Sequence, residues 1–124
     1  MILRTGVDIC NVPVFTRRVE RARNDFIGRF WTPVEIDQSG GRMTSLAARW
    51  GAKEATMKAL RAGIGRVDPV DIEVELRDGV PHLNLRDSAH DIAESLGLVT
   101  WSVSLTHDDF YAMAFVVAAG GGDG

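Results

Sequence analysis

The sequence has little cysteine and no long apolar run, and each shortage excludes a class of protein. Cys10 is the only cysteine in the 124 residues, which excludes an internal disulfide and a metal site built from several thiolates. We expect its side chain to be a small buried apolar group. The longest apolar run, at 112–119, is far shorter than the roughly 20 residues that cross a bilayer. With no charged start followed by an apolar stretch, the sequence predicts a cytoplasmic protein without a membrane partner.

Positive charge is not in excess either, which argues against a nucleic-acid partner. The chain has 14 basic and 17 acidic residues and a net charge of −3, whereas nucleic-acid-binding domains carry a basic surface. Residues 16–29 depart from this average, since they contain five arginines and two acids. This segment is either a solvated helix face or a docking surface for one anionic partner. Its arginines are Arg17, Arg18, Arg21, Arg23 and Arg29.

The order of predicted elements indicates an α+β fold. Alternating apolar residues between turn residues predict five strands, at 2–9, 71–76, 81–85, 100–106 and 110–118. Apolar residues at helical spacing predict four helices: one after Pro13, one from Thr32 with Glu35 in a capping box, one over 43–62 ended by Gly63, and one from Asp87 or Ser88 to about 96. We expect a turn at Asp78–Gly79 and a long helix packed on a small antiparallel sheet. The predicted domain covers 1–119, and 120–124 form a flexible glycine-rich tail.

Two groups of residues could carry chemistry. Asp8 lies in an apolar strand, where an unpaired carboxylate is costly, so it either caps the next turn or binds a metal. Glu54 and Lys58 lie four apart on one helical face, the spacing of an ordinary surface ion pair. However, the chain's only two lysines, Lys53 and Lys58, flank Glu54. Together with Arg49 they form a basic cluster that could hold a phosphate and its metal.

Other motifs are less informative when taken alone. His107 lies between the last two predicted strands and could equally belong to a polar hairpin tip. The glycines Gly63 and Gly65 form a fragment too short to indicate a dinucleotide-binding loop. The residues themselves therefore predict an α+β domain with a candidate metal–phosphate site and a basic face.

Seven stretches occur in one order along almost the whole chain: 6–9 (GVDI), 29–35 (RFWTPVE), 46–59 (LAARWGAKEATMKA), 63–65 (GIG), 71–74 (DIEV), 79–81 (GVP) and 104–114 (SLTHDDFYAMA). In this order they resemble the motifs of the holo-acyl-carrier-protein synthase family, the small 4′-phosphopantetheinyl transferases. The helix motif at 46–59 and the motif around His107 make the resemblance specific. It implies the fold of that family for the whole domain.

The resemblance implies an enzyme that moves the phosphopantetheine arm of coenzyme A onto a serine of an apo acyl carrier protein and releases adenosine 3′,5′-bisphosphate. It implies Asp8, Glu54 and Lys58 as the catalytic residues. Asp8 and Glu54 would bind Mg²⁺, and Lys58 would neutralise the leaving phosphate. The base for the carrier serine is either Glu54 or a water on the metal. Contacts to coenzyme A are implied at Arg49, Lys53, Lys58, Gly63, Gly65 and His107.

The resemblance also implies partners. Members of the family are homotrimers whose sites are shared between protomers, and an acidic carrier protein docks on the first helix, where the arginines Arg17, Arg18, Arg21, Arg23 and Arg29 lie. Asn11 and Val14 depart from the pattern, which often has an acid and a carrier-docking arginine there. Arg17 or Arg18 compensates, or the carrier is of another type, such as a polyketide carrier rather than a fatty-acid one.

Two alternatives are open at this point. A non-catalytic module could bind coenzyme A or a carrier protein, and it would show no metal-dependent release of the adenosine bisphosphate. A purely structural trimer could use Asp8 and Glu54 in local ion pairs, and it would bind no metal.

Overall fold

The computed structural model describes residues 1–22 and 24–121 and contains helices together with antiparallel strands. The strands are β1 (Ile2–Asn11), β2 (Ile72–Arg77), β3 (Val80–Leu85), β4 (Thr100–His107) and β5 (Tyr111–Gly120). The α-helices are α1 (Val12–Arg21), α2 (Asn24–Phe30), α3 (Pro33–Ser39), α4 (Met43–Leu60) and α5 (Asp87–Ser95). A short 3₁₀ helix, Pro69–Asp71, precedes β2. This arrangement confirms the predicted α+β class.

The strands form two small antiparallel sheets. One has three strands in the order β1-β5-β4, and the other is the hairpin β2-β3. The hairpin turn at Asp78 and Gly79 is confirmed, with φ angles of 51° and 80°, as tight turns between twisted strands require. The capping box is confirmed as well, because Thr32 accepts a hydrogen bond from the Glu35 N–H and its own N–H donates to the Glu35 carboxylate.

Helix α4 is the centre of the molecule and is buried on nearly every side. It packs mainly on β1 and β5, where the inward-facing residues of β5 are small, including Ala112, Ala114 and Ala118. The closest approach is at Gly6 of β1. A Cβ at this position would lie 1.7 Å from the carbonyl oxygen of Ala55, so only glycine allows the strand and the helix to cross here.

The opposite face of the three-stranded sheet carries exposed apolar side chains. They are Leu3, Val7, Ile9, Met113 and Phe115, between 39% and 59% exposed. Isolated apolar residues are normal on protein surfaces, but a contiguous apolar face is typical of an interface. None of the described helices is both long and apolar enough to cross a membrane.

The structure differs from the predicted elements at three places: one helix was missed, and the ends of another helix and of the last strand were wrong. Helix α2 was not predicted; its Phe26 and Phe30 pack on one another with ring centroids 4.7 Å apart. Helix α4 ends at Leu60 rather than at 62, because Arg61 takes the left-handed conformation (φ 56°) that ends the helix. At the end of the chain, β5 includes Gly120, which pairs with Ile2. Of the rest of the predicted tail, Gly121 lies outside any strand, and residues 122–124 lie outside the described residues.

Helix α5 also begins differently from the prediction. Arg86, the residue before the helix, provides no side-chain cap, and the Asp71 carboxylate accepts a hydrogen bond from the Ser88 N–H at 3.1 Å. The hydroxyl of Ser88, which we expected to act as a cap, donates instead to the Asp71 carboxylate at 2.6 Å. This bond connects α5 to the end of the 3₁₀ helix.

Candidate active site

The crossing of β1 and α4 brings two acidic side chains to one place. Asp8 lies two residues beyond Gly6, so its side chain also points to the α4 side of β1. A Cβ at Gly51 would lie 3.7 Å from Asp8 Oδ2, which places this carboxylate over the middle of α4. Glu54 follows Gly51 by three residues on the same helix, and the nearby Asp8 charge contributes to the raised pKa of Glu54.

Lys58 is the cation beside this pair. Its Nζ donates to the Val7 carbonyl at 2.8 Å and lies 3.4 Å from Asp8 Oδ1. The Lys58 side chain is 55% exposed, whereas that of Asp8 is 19% exposed. Lys58 is therefore hydrogen-bonded to β1 through its ammonium group, while its side chain remains exposed to solvent.

The electrostatics of the two carboxylates favour a bound cation. Burial raises the pKa of Asp8, and the Lys58 ammonium only partly opposes this effect. The pKa of Glu54 is raised by burial and then by the Asp8 charge, again against Lys58. A divalent cation between the two oxygen donors would relieve both effects.

The donor set suits Mg²⁺ rather than a metal held wholly by protein. Within residues 1–22 and 24–121, no group of three or more histidine, cysteine or acidic side chains could hold a metal. Mg²⁺ is commonly bound by one or two carboxylates and completes its shell with waters and substrate phosphates. Asp8 and Glu54 fit this pattern.

Two clefts meet at Glu54. The first, which we call the α1 cleft, has a volume of about 400 Å³ and is lined by Asp8, Val14, Arg18 and Glu54, among others. The second, the loop cleft, has a volume of about 390 Å³ and is lined by Glu54, Lys58, Arg61 and Gly63, among others. The acidic pair and Lys58 thus lie where the two clefts join.

Lys53 does not lie at either cleft, which corrects the expectation from the sequence. Its side chain is fully buried, and its Nζ lies 2.7 Å from Glu35 Oε1. The ammonium also donates to the carbonyls of Pro69 and Ile72. Desolvation lowers the pKa of Lys53, and the Glu35 carboxylate opposes that shift. With three protein acceptors for its three N–H groups, Lys53 has no proton left for a phosphate.

Arg49 requires a similar correction. It is only 2% exposed, and its guanidinium donates to the hydroxyl and the carbonyl of Ser45. Burial lowers the pKa of Arg49. In this chain the guanidinium is turned towards the start of α4, away from Asp8 and Glu54.

The remaining residues expected to contact coenzyme A lie in three different places. Gly63 lines the loop cleft, while Gly65 lines a separate groove beside Arg29 and Arg66. His107 is the exposed last residue of β4, and β5 lies between β4 and β1. Since strands in a sheet are about 4.8 Å apart, His107 is two strands away from the acidic pair in the same chain.

The expected docking arginines lie partly where we predicted. Arg17, Arg18 and Arg21 are exposed on α1, and Arg18 also lines the α1 cleft. Arg29 lies on α2 beside the separate groove. Arg23 lies outside the described residues.

Cys10 also lines the α1 cleft, so it is half-buried rather than fully buried as expected. Burial raises the pKa of its thiol to about 11, which keeps it protonated and unreactive.

Sequence reasoning missed Arg61 as a site residue. It follows Lys58 by three residues, just past the last turn of α4, and lines the loop cleft with it. Its spacing from Lys58 was the only available signal, because the end of the helix was expected further along the chain. Trp50 also lines the α1 cleft and was not among the expected site residues.

Known proteins are similar to this chain in sequence and in fold. A model of the 4′-phosphopantetheinyl transferase superfamily matches residues 4–116. The holo-[acyl-carrier-protein] synthase of Herpetosiphon aurantiacus is 38% identical, over 96% of this chain and 100% of its own. That of Solibacter usitatus is 40% identical, over 94% of this chain and 98% of its own.

A solved structure agrees with these relatives. Helicobacter pylori holo-[acyl-carrier-protein] synthase in complex with coenzyme A has a TM-score of 0.84 at 28% identity, covering 93% of this chain and 99% of that one. Similarity of this extent, in sequence and in fold, establishes the family. The chain belongs to the 4′-phosphopantetheinyl transferase superfamily and, within it, to the holo-[acyl-carrier-protein] synthase enzymes.

Proposed function

We propose that this chain transfers the 4′-phosphopantetheine arm of coenzyme A to a serine of an apo acyl carrier protein. We further propose that the reaction depends on Mg²⁺ and releases adenosine 3′,5′-bisphosphate. The observation that carries the proposal is the position of Glu54 on the border of the α1 cleft and the loop cleft. Transfer between two substrates needs both of them at one centre, and the two clefts provide an approach for each.

Coenzyme A is assigned to the loop cleft. Lys58 and Arg61 supply two positive side chains there, and phosphate groups are bound by such cations. The Helicobacter pylori relative is described in complex with coenzyme A, which supports this substrate. Gly63, on the same cleft, lets the chain approach a ligand closely because it has no side chain.

The chemistry is a phosphoryl transfer. The carrier serine oxygen forms a bond to the phosphorus that carries pantetheine, and the bond from this phosphorus to the adenosine bisphosphate breaks. Bound Mg²⁺, with Asp8 and Glu54 as its protein ligands, supplies charge neutralisation at the pyrophosphate. Lys58 stabilises the negative charge that develops on the leaving phosphate. Glu54 borders the α1 cleft and is our candidate to accept the serine proton.

The carrier protein is assigned to the α1 cleft and the exposed arginines of α1. Val14 and Arg18 lie four residues apart and line the same cleft. We propose that Arg18 provides the positive charge that the family pattern often places at the position of Val14. The partner is then an acidic carrier protein, of fatty-acid or polyketide type.

We propose that the active form is a homotrimer. The exposed apolar face of the three-stranded sheet offers an area to bury between protomers. His107 is exposed at the end of β4, two strands from the acidic pair of its own chain, and we propose that a neighbouring protomer supplies His107 to the coenzyme A site. A cytoplasmic location is proposed because coenzyme A is a cytoplasmic metabolite.

The decisive experiment measures the intact mass of an apo acyl carrier protein after incubation with this protein and coenzyme A. Parallel samples contain Mg²⁺ or EDTA, and both a fatty-acid carrier and a polyketide carrier are tested. A gain of one phosphopantetheine group that requires metal, together with release of adenosine 3′,5′-bisphosphate, is the expected result. Binding of coenzyme A without modification of any carrier would instead identify a non-catalytic binding module.

A further inference from the structure

Lys53 and Glu35 form a fully buried ion pair that takes no part in the chemistry proposed above. Their charged atoms are 2.7 Å apart, and neither side chain has any exposed surface. Two buried charges lose their hydration, and well-packed apolar residues are often as stable in their place. Stability alone is therefore a weak reason for this pair, and its contacts suggest another role.

The contacts of Lys53 join α4 to the segment that lines the loop cleft. Its ammonium donates to the Pro69 carbonyl at 3.0 Å and to the Ile72 carbonyl. Pro69 begins the 3₁₀ helix, directly after the segment 61–68, which includes Arg61 and Gly63 of the loop cleft. One side chain thus holds the middle of α4 against the end of that segment.

The contacts of Glu35 join the same pair to α3 and β2. Oε1 accepts from the Thr32 N–H at 3.0 Å, and Oε2 accepts from the Val74 N–H at 3.1 Å. The Thr32 hydroxyl donates in turn to Glu73 at 2.6 Å. Every charged atom of the pair has a directional partner, so the pair is compatible with one orientation of α4.

We propose that the Lys53–Glu35 pair is a positioning device that sets the rotation of α4 about its axis and so aims Glu54 at Asp8. Neighbouring residues of an α-helix point about 100° apart. When Lys53 is held on the α3 and β2 side, Glu54 is directed towards β1. The hydrogen bonds from Lys53 to the Pro69 and Ile72 carbonyls also fix the position of the segment 61–68 relative to Lys58. This inference rests on the proposed metal site of Asp8 and Glu54.

The test uses two variants of the full chain that preserve side-chain size. Glu35→Gln keeps an oxygen acceptor but removes the charge, and the double variant Lys53→Met/Glu35→Met leaves no unpaired charge in the core. Binding of Mn²⁺ as a probe is measured directly, from the electron paramagnetic resonance signal of the free ion. We expect both variants to bind Mn²⁺ at least about 10-fold more weakly than the unaltered protein, as is usual when a group that orients a metal ligand is lost.

A matched control separates positioning from general loss of stability. Leu98 is 3% exposed, lies in the apolar cluster beside α5, and has no polar side-chain atom that could join the hydrogen bonds of Lys53 and Glu35. Leu98→Ala or Leu98→Val, whichever matches the Glu35→Gln unfolding midpoint, should bind Mn²⁺ as the unaltered protein does. Equal weakening in this control, or unchanged Mn²⁺ binding in the folded Glu35→Gln variant, would overturn the inference. If the unaltered protein binds no Mn²⁺, the metal site itself is wrong, and the inference fails with it.

Discussion

Gly6 and Ala55 are in backbone contact, because a methyl group on Gly6 would lie 1.7 Å from the Ala55 carbonyl oxygen. Asp8 follows Gly6 by two residues, and Glu54 precedes Ala55 by one. The two acidic side chains are therefore carried by backbones that touch. Their relative position depends on this crossing rather than on flexible side chains.

A methyl group at Gly6 should separate β1 from α4. We expect Gly6→Ala to lower the free energy of unfolding by about 3 kcal/mol or more, the upper range for overpacking a core, and to lower turnover as Asp8 and Glu54 move apart. Urea unfolding and turnover measurements check this.

Gly51→Ala is the matched control for Gly6→Ala. The nearest atoms to a Cβ at Gly51 are 3.6 Å and 3.7 Å away, which is ordinary contact. Replacing a helical glycine by alanine stabilises a helix by about 1 kcal/mol, so this variant should be at least as stable as the unaltered protein. A stable Gly6→Ala protein would contradict the proposed crossing.

Loss of either carboxylate should abolish the reaction and leave the fold in place. Asp8→Asn and Glu54→Ala each remove one of two protein donors to the metal. We expect kcat to fall about 100-fold or more, since metal stabilisation of the transition state is a matter of several kcal/mol. Circular dichroism and the carrier mass assay check both points. Turnover retained in Glu54→Ala would exclude Glu54 as a metal ligand.

The same carboxylates predict how stability changes with pH. The ordinary pKa values of Asp8 and Glu54 are 3.8 and 4.5, and both are raised in the folded protein. The folded state then holds these protons more tightly than the unfolded chain, so stability falls as the pH rises through the raised values. Glu54→Gln should therefore be more stable than the unaltered protein near pH 7 without metal.

The stability difference should shrink as the pH falls through 4.5, the ordinary pKa of Glu54, because Glu54 becomes protonated in the unfolded state as well. Added Mg²⁺ should raise the unfolding midpoint of the unaltered protein, because a ligand of the folded state stabilises it, and should have little effect on Glu54→Gln. Thermal unfolding at several pH values, with and without Mg²⁺, measures this. A Glu54→Gln protein that responds to Mg²⁺ as the unaltered protein does would contradict the assignment.

Reversing the charge at Arg18 should impair carrier docking. We expect Arg18→Glu to raise the KM for the carrier about 10-fold, equivalent to about 1.4 kcal/mol, and to leave the KM for coenzyme A unchanged. Arg77→Glu, at the end of β2, is the control, because its exposed side chain contacts Glu75 and Asn84 rather than a cleft. Salt should weaken docking of the unaltered protein, since exposed charges are screened within about 10 Å at 0.1 M.

A site shared between protomers should allow two inactive variants to restore each other. Asp8→Asn and His107→Ala are each expected to be inactive. After mixing in equal amounts and exchange of protomers, about a quarter of the sites should be intact if each site joins two neighbours at random. Phe115→Glu, on the exposed apolar face, should prevent both assembly and this recovery. Sedimentation and the mass assay measure the two effects, and a fully active monomer would contradict the proposal.

Local signals predicted much of the fold. The Thr32–Glu35 capping box and the Asp78–Gly79 turn depend on neighbouring residues only, so the sequence indicates them directly. Helix α2 was missed because its seven residues are too few to show a helical period and follow a charged stretch that masks it. Its packing depends on Trp31, which is buried by tertiary contacts.

Only part of the candidate site could be predicted from the sequence. Lys53 and Lys58 both flank Glu54 in the sequence, and nothing local distinguishes them. They differ because Lys53 faces Glu35, Pro69 and Ile72, which lie 16 to 19 residues away along the chain. Such contacts arise from the packing of α4 between its neighbours, which residue spacing does not encode.

The pairing of β1 with β5 has a consequence for the handling of this protein. Ile2 lies opposite Gly120, while Asn11 and Tyr111 pair at the other end of the same strands. Ile2 and Gly120, next to the two ends of the described residues, are thus about 5 Å apart, and a ten-residue strand, roughly 33 Å long, separates them from Asn11 on the α1 cleft. A short linker could join these ends and the backbone could be opened at the Asp78–Gly79 turn, giving a circularly permuted chain. An anchor placed at either end would attach the protein to a solid support with the α1 cleft facing the solution.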